Sequence, residues 1–252
     1  RSRNFSWSTN WVFAYNKSKM ISISNLTPAT TGAQQINASI KLGLPAYTLF
    51  AYNYGGVTNT GLPQVILADG TVSTNPTITK AEDLLYMGTT QPVYNGGLSN
   101  NFQYKNFTLA ANMVYNLGHV MRRQRDLQFG GQFRRNVSVD ILNRWKAPGD
   151  EAFTNIPAYR TVSSPQVETN YFTQGNINVE SASFVKLRDV TLFYALPQSL
   201  ANKIKTQGIT LRAQVSNVML WTKNNYGIDP EFVGLTAPIN QNTVSLGINV
   251  SL

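Results

Sequence analysis

The residues with chemistry to offer are few. His119 is the single histidine of the 252-residue chain, and a histidine beside a serine or an aspartate is the usual general base of a hydrolase. No nucleophile motif accompanies it, so a loop histidine is expected and no catalytic residue. The stretch "RRQRDLQFGGQFRRN", 122 to 136, sets Arg122, Arg123, Arg125, Arg134 and Arg135 against Asp126. Such a cluster with aromatics could grip nucleic acid. It equally suits a solvated loop turned toward anionic lipopolysaccharide or a partner protein, and that is the expectation, with no nucleic acid bound. "ADGT", 68 to 71, offers one carboxylate, which a type I′ or II′ hairpin turn accounts for. There is no cysteine, hence no disulfide framework and no thiolate metal site. Neither metal nor cofactor is expected.

Arg212 tells more, because its neighbours fix where it must point. In "ITLRAQVSNVMLW", 209 to 221, Ile209, Leu211, Ala213 and Val215 share one face of a strand, and Thr210, Arg212, Gln214 and Ser216 the other. A soluble antiparallel sheet alternates in this way, with one face on a core and one in water. An outer-membrane barrel inverts the arrangement, with apolar residues toward lipid and polar ones toward a lumen. A cation facing lipid at mid-bilayer costs about 2–4 kcal/mol, so in a barrel Arg212 and Gln214 face the lumen. Asp189, Asn112 and Asn101 on other segments are lumen-facing candidates too, with Asp189 a carboxylate that Arg212 could meet.

The elements that would position these residues are strands. The chain is 42% hydrophobic but only 13% charged, about half the charge of an average soluble protein. No apolar run approaches the roughly 20 residues of a membrane helix, whereas a tilted barrel strand needs only about 9–11 alternating ones. Seven segments alternate. "NFSWSTNWVFAYN" puts Phe5, Trp7, Trp11, Phe13 and Tyr15 on one face; the weaker "PAYTLFAYNYGG", 45 to 56, follows. "VYNGGLSNNFQY" turns at Lys105-Asn106 into "FTLAANMVYNLG"; then come "FVKLRDVTLFYALP", the 209–221 segment and the terminal "NTVSLGINVSL". Trp7, Trp11, Tyr15, Tyr104, Tyr115, Tyr194 and Trp221 crowd toward strand ends, as interfacial girdles do.

The connections alternate in length as well. Those at 57–91, 119–181 and 222–242 are long, while 105–106 and 197–207 are short, which is how outer-membrane barrels separate external loops from periplasmic turns. Only 19–41, on the short side, breaks the rule. With the C-terminus in the periplasm, the seventh strand and the first both run inward. The odd count, and Arg1 standing directly before a strand without a signal peptide, imply a mature fragment or part of a longer chain with further strands upstream. The 63-residue stretch 119–181 should be extracellular and carry partner contacts, with a short helix at 138–145 capped by Ser138.

Several linked motifs resemble the SusC/RagA family of TonB-linked outer-membrane transporters. They are "YMGTTQPVYNGGLSNNFQYKNFTLAANMVYNLG", 86 to 118; "RWKAPGDEAFTNIPAYR", 144 to 160; "SASFVKLRDVTLFYALPQSL", 181 to 200; and "LRAQVSNVMLWTKNNYGIDPE", 211 to 231. The chain ends on Leu252 where that family usually has an aromatic, and its plug domain and TonB-box region lie outside these residues. The resemblance implies an all-β fold, with residues 1–252 forming the C-terminal strands of a plugged, transmembrane antiparallel β-barrel of about 22 strands. It implies import of large nutrients, oligosaccharides or peptides, driven by the TonB complex through the N-terminal region. A SusD-like surface lipoprotein would form a lid, in a SusCD-type complex that could be dimeric. Partner-loop candidates are then Arg122, Arg123, Arg125, Arg134, Arg135, Trp145, Asp150 and Tyr159. A passive porin, a barrel of a secretion or adhesion system, and a soluble β-rich binding module are the alternatives.

Overall fold

Strict alternation of apolar and polar residues builds the long strands, and departures from it build everything else. The computed structural model describes residues 4–24, 28–75, 77–125, 127–130, 136–160, 166–233 and 242–251. In chain order the elements are β1 (Phe5–Tyr15), α1 (Gly32–Asn37), β2 (Thr48–Tyr52), β3 (Tyr54–Val57), β4 (Pro63–Ile66), β5 (Val72–Ser73), β6 (Leu84–Thr89), β7 (Tyr94–Tyr104) and β8 (Phe107–Leu117). After them come β9 (Val120–Arg122), α2 (Gln166–Thr173), β10 (Val179–Ser181), β11 (Phe184–Ala195), α3 (Gln198–Lys203), β12 (Gly208–Thr222) and β13 (Thr243–Ser251).

One antiparallel sheet of six strands, in the order β1-β7-β8-β11-β12-β13, forms a wall. The segment expected as a second wall strand, 45–56, is not in it. Its residues form β2, which pairs with β6, and β3, which pairs with β4. The wall therefore has six strands here rather than seven, and β1 runs antiparallel to the direction expected for it. The correction removes the one irregular connection. All three long connections, 16–93, 118–183 and 223–242, now leave from one end of the sheet, and both short ones, 105–106 and 196–207, from the other.

Register sorts the two faces. Phe5 pairs with Tyr104, Trp7 with Phe102, Trp11 with Leu98 and Tyr15 with Tyr94. The same side continues through Leu109, Met113, Leu192 and Val190 to Leu211, Ala213 and Val215, and ends on Ile248, Leu246 and Val244. This apolar face is open: Trp11 is 67% exposed and Leu246 82%. Its polar atoms are tied to one another. Trp7 Nε1 and Thr9 Oγ1 both donate to Asn100 Oδ1, and Trp11 Nε1 donates to the Tyr115 hydroxyl, which donates on to Val12 O. Tyr115 reaches that carbonyl across Gly96, where a Cβ would lie 2.0 Å from Val12 O and 2.5 Å from the phenol oxygen. Only glycine leaves room for the ring.

The buried core lies instead in the first two long connections. One cluster joins Phe50, Tyr52, Val65, Leu84 and Tyr171; the other joins Tyr54, Leu127, Phe129, Ile141, Ile156 and Phe172. Each mixes residues from both connections, so the two fold as one layer at the loop end of the wall. Edge-on ring contacts, Tyr52 on Tyr171 at 4.9 Å and Tyr54 on Phe172 at 5.7 Å, cross the seam. Such pairs add about 0.5–1.5 kcal/mol beyond area burial. The expected helix after Ser138 is a 3-10 turn, Val139–Asn143, whose first turn is capped by the Ser138 hydroxyl accepting from Asp140 N. The 68–71 turn is neither type I′ nor type II′: Gly70 N donates to Leu67 O, so Ala68 and Asp69 are its central residues, and the one left-handed residue is Gly70 itself, at φ 85°.

Candidate functional site

Two surfaces carry side chains able to do more than pack: the polar face of the wall and the layer at its loop end. On the wall, register places Asn101, Asn112, Asp189, Arg212 and Gln214 on one face, opposite the apolar one. Asn112 Nδ2 donates to Asp189 Oδ1 at 3.0 Å. Arg212 does not meet Asp189. Asp189 lies opposite Ser216, whereas Arg212 lies opposite Phe193, holds its guanidinium 6.0 Å from that ring and donates to Gln214 Oε1.

The strongest electrostatics on this face sit where the alternation fails. In "FVKLRDV" the pairing of β11 with β8 slips between Leu187 and Asp189, a β-bulge, and bulges near barrel rims re-aim side chains. Lys186 takes the polar face opposite Val114, and Arg188, the extra residue, reaches the same acidic loop. Lys186 is fully buried. Its Nζ lies 2.7 Å from Asp229 Oδ2 and 2.9 Å from Glu231 Oε2, and 5.1 Å from the centre of the Phe232 ring. Arg188 donates to both oxygens of Glu231. Burial works to raise the Glu231 pKa, but hydrogen bonds and charge from Arg188 and Lys186 outweigh it and hold the carboxyl below its ordinary value. These four residues were not singled out in the sequence. The signal available was two cations at i and i+2 in a strand, facing an i, i+2 pair of acids in "GIDPE".

In the loop layer Arg122, Arg123 and Arg125 are structural, which corrects the expectation of a solvated cluster for these three. Arg122 is half-buried and donates to Phe50 O across the seam. Arg123 lies 3.6 Å over the Tyr226 ring, and Arg125 pairs with Asp140 at 2.7 Å. A sequence window counts charges and cannot see that three of them point inward. Arg134 and Arg135 lie outside the described residues, as does Leu252. Trp145 is half-buried and donates to Glu151 Oε2, while Asp150 Oδ2 accepts from the backbone of Lys146 and Ala147. The "KAPGDE" turn thus closes on itself. Tyr159 is half-buried. What stands out into solvent nearby is apolar and was missed: Val139, Leu142 and Phe153, the last 92% exposed. His119 is buried where β8 gives way to β9; burial depresses its pKa, and its Nδ1 has no hydrogen-bond partner. Ser183, on the adjoining turn, uses its hydroxyl to accept from Gly118 N.

No protein-family model matches the chain. It is 26% identical over 250 residues to TonB-dependent receptor P3 of Formosa agariphila, covering 91% of this chain and 23% of that protein. It is 23% identical to TonB-dependent receptor P39 of the same organism, covering 99% and 29%. Among solved structures it is similar to the RagAB peptide importer in its open-open state, with a TM-score of 0.70, 20% identity and coverage of 100% of this chain and 27% of that one. The closed-closed state of that importer gives 0.70 at 22% identity, covering 99% and 28%. The chain therefore spans about a quarter of the length of the proteins it matches, which are receptors and importers rather than enzymes. By sequence the chain is thus similar to TonB-dependent receptors, and its all-β fold is that of the corresponding part of the RagAB importer structures.

Proposed function

We propose that residues 1–252 are the C-terminal barrel portion of an outer-membrane TonB-dependent importer, with β13 ending in the periplasm and the loop layer outside the cell. The observation that carries this is the inverted wall, whose apolar face is open while the core lies in the loops. The dimensions agree. Phe5, Tyr104, Phe107 and Tyr194 form a row across four neighbouring strands at the turn end, and Tyr15 and Tyr94 meet at the loop end. From Phe5 to Tyr15 is about 33 Å of strand, or about 23–25 Å of height at a tilt of 40–45°, against an apolar band of about 25 Å in outer-membrane barrels. A barrel of about 22 strands would draw about 16 from outside the six seen here.

Arg212, Gln214, Asp189, Asn112 and Asn101 then line the lumen, and Trp145, Asp150 and Tyr159 shape a loop surface available to a SusD-like lipoprotein. The solved neighbours are peptide importers, which favours peptides over oligosaccharides as the large nutrient. TonB would act through the region outside this chain. The test is uptake by the full-length protein in its outer membrane. Peptide import that disappears on deletion of TonB, together with a heat-modifiable gel band, is expected. TonB-independent diffusion would leave a passive porin.

A further inference from the structure

The third long connection begins by folding over the polar face of the wall. Asn224, buried at the end of β12, shapes the turn: its amide donates to Ile228 O and Thr222 Oγ1, and its carbonyl accepts from Tyr226 N and Ile228 N. Asp229 and Glu231 then reach Lys186 and Arg188 on β11. Arg123 of the second connection covers the Tyr226 ring. Residues 224–233 are thus gripped by the strand end, the wall and the loop layer. Two cations meet two anions, so the cluster is locally neutral.

A fully buried lysine is a poor way to gain stability. Desolvating it offsets most of what its pairs return, while removing its partners leaves a stranded charge. Such a cluster fixes position more than it adds free energy. What it positions is a segment that presents Tyr226, Phe232 and Val233 as partly exposed apolar groups over a wall face that carries Asn101, Asn112, Asp189, Arg212 and Gln214, with Val114 and Phe193 among them. We infer that residues 224–233 are a fixed insert that narrows the lumen from the β11 side, and that Lys186 and Arg188 are the positioning residues that latch it there. This rests on the barrel reading, since only in a barrel is the polar face a passage.

The test uses the full-length protein in intact cells. Lys223 is an exposed tryptic site at the root of the insert, and cleavage there needs the segment to leave the wall. The parent should resist trypsin. Asp229→Asn with Glu231→Gln keeps the side-chain shapes and removes both anions. It should be cut at Lys223 about tenfold faster, as a weakened local contact predicts, and Asn101→Cys, on the polar face, should react faster in that background with a bulky impermeant maleimide added outside. Arg188→Gln, at a partly exposed side chain paired with Glu231, should move both readouts in the same direction by less, and serves if the double variant fails to assemble. A heat-modifiable variant with parental cleavage and parental labelling would overturn the latch. Faster cleavage with unchanged labelling would overturn the narrowing role. A parent that never reaches the outer membrane would instead overturn the barrel reading beneath it.

Discussion

Leu211 and Arg212 are neighbours in sequence and live in different surroundings. Leu211 lies between Tyr194 and Ile248 on the apolar face, Arg212 between Phe193 and Gly247 on the polar one. Exchanging Leu211 for Arg should destabilise the full-length protein in lipid by about 1–4 kcal/mol, depending on depth. Arg212→Leu gives up the bond to Gln214 and the contact with Phe193, about 0.5–1.5 kcal/mol at a solvated position. Unfolding titrations in lipid bilayers measure both. The reverse order would mean that the apolar face does not meet lipid. This much was legible in the sequence because a period of two assigns every second residue to one side. The partner of Arg212 was not, because the register of β11 against β12 is set by where the 196–207 connection turns, which brings Phe193 rather than Asp189 abreast of it, and the hydrophobic pattern of a single strand does not record register.

At the scale of elements, the wall strands were readable and the loop elements were not. β1, β7, β8, β11 and β13 lie inside segments picked out by alternation, and β12 exceeds its segment by one residue at each end. The segment 45–56 also alternates in part, yet it forms β2 and β3 in the loop layer, because its rings find a closed core with Tyr171 and Phe172 there. Alternation alone cannot distinguish a strand facing lipid from a short strand buried on both sides. How the two connections lock together is visible at Gly61. It stands at φ 76°, and a Cβ there would lie 2.5 Å from the Ala158 side chain and 2.6 Å from the Trp145 ring. Its carbonyl accepts from Ala158 N at 2.9 Å. Gly61→Ala should therefore combine left-handed strain with overpacking, about 2–5 kcal/mol in sum, and part the two connections locally. Hydrogen exchange at the Ala158 amide should speed up while the amides of β7 and β8 keep their protection. Unchanged exchange at Ala158 would show that the seam does not depend on this contact.

At the scale of the whole molecule, long and short connections alternate without exception along a wall of six strands, whereas the seven segments of the sequence left 19–41 irregular. With β1 and β13 at its edges, the described sheet presents two rows of backbone groups without strand partners in it. In hydrocarbon each such group costs several kcal/mol, and the smallest bacterial barrels close with eight strands. Six strands of this length cannot close around side chains as large as Lys186, Arg212 and Phe193 on the inner face. The loop layer is different, because its two aromatic clusters are completed by residues of these 252 alone. We therefore expect the isolated polypeptide, refolded into detergent, to give no monomeric, heat-modifiable, protease-resistant barrel. The fragments that survive limited proteolysis should come from 48–89 and 120–181 rather than from the wall. A resistant monomer containing β12 and β13 would show that the sheet closes without further strands, and would remove the argument that the passage is shared with the rest of a larger barrel.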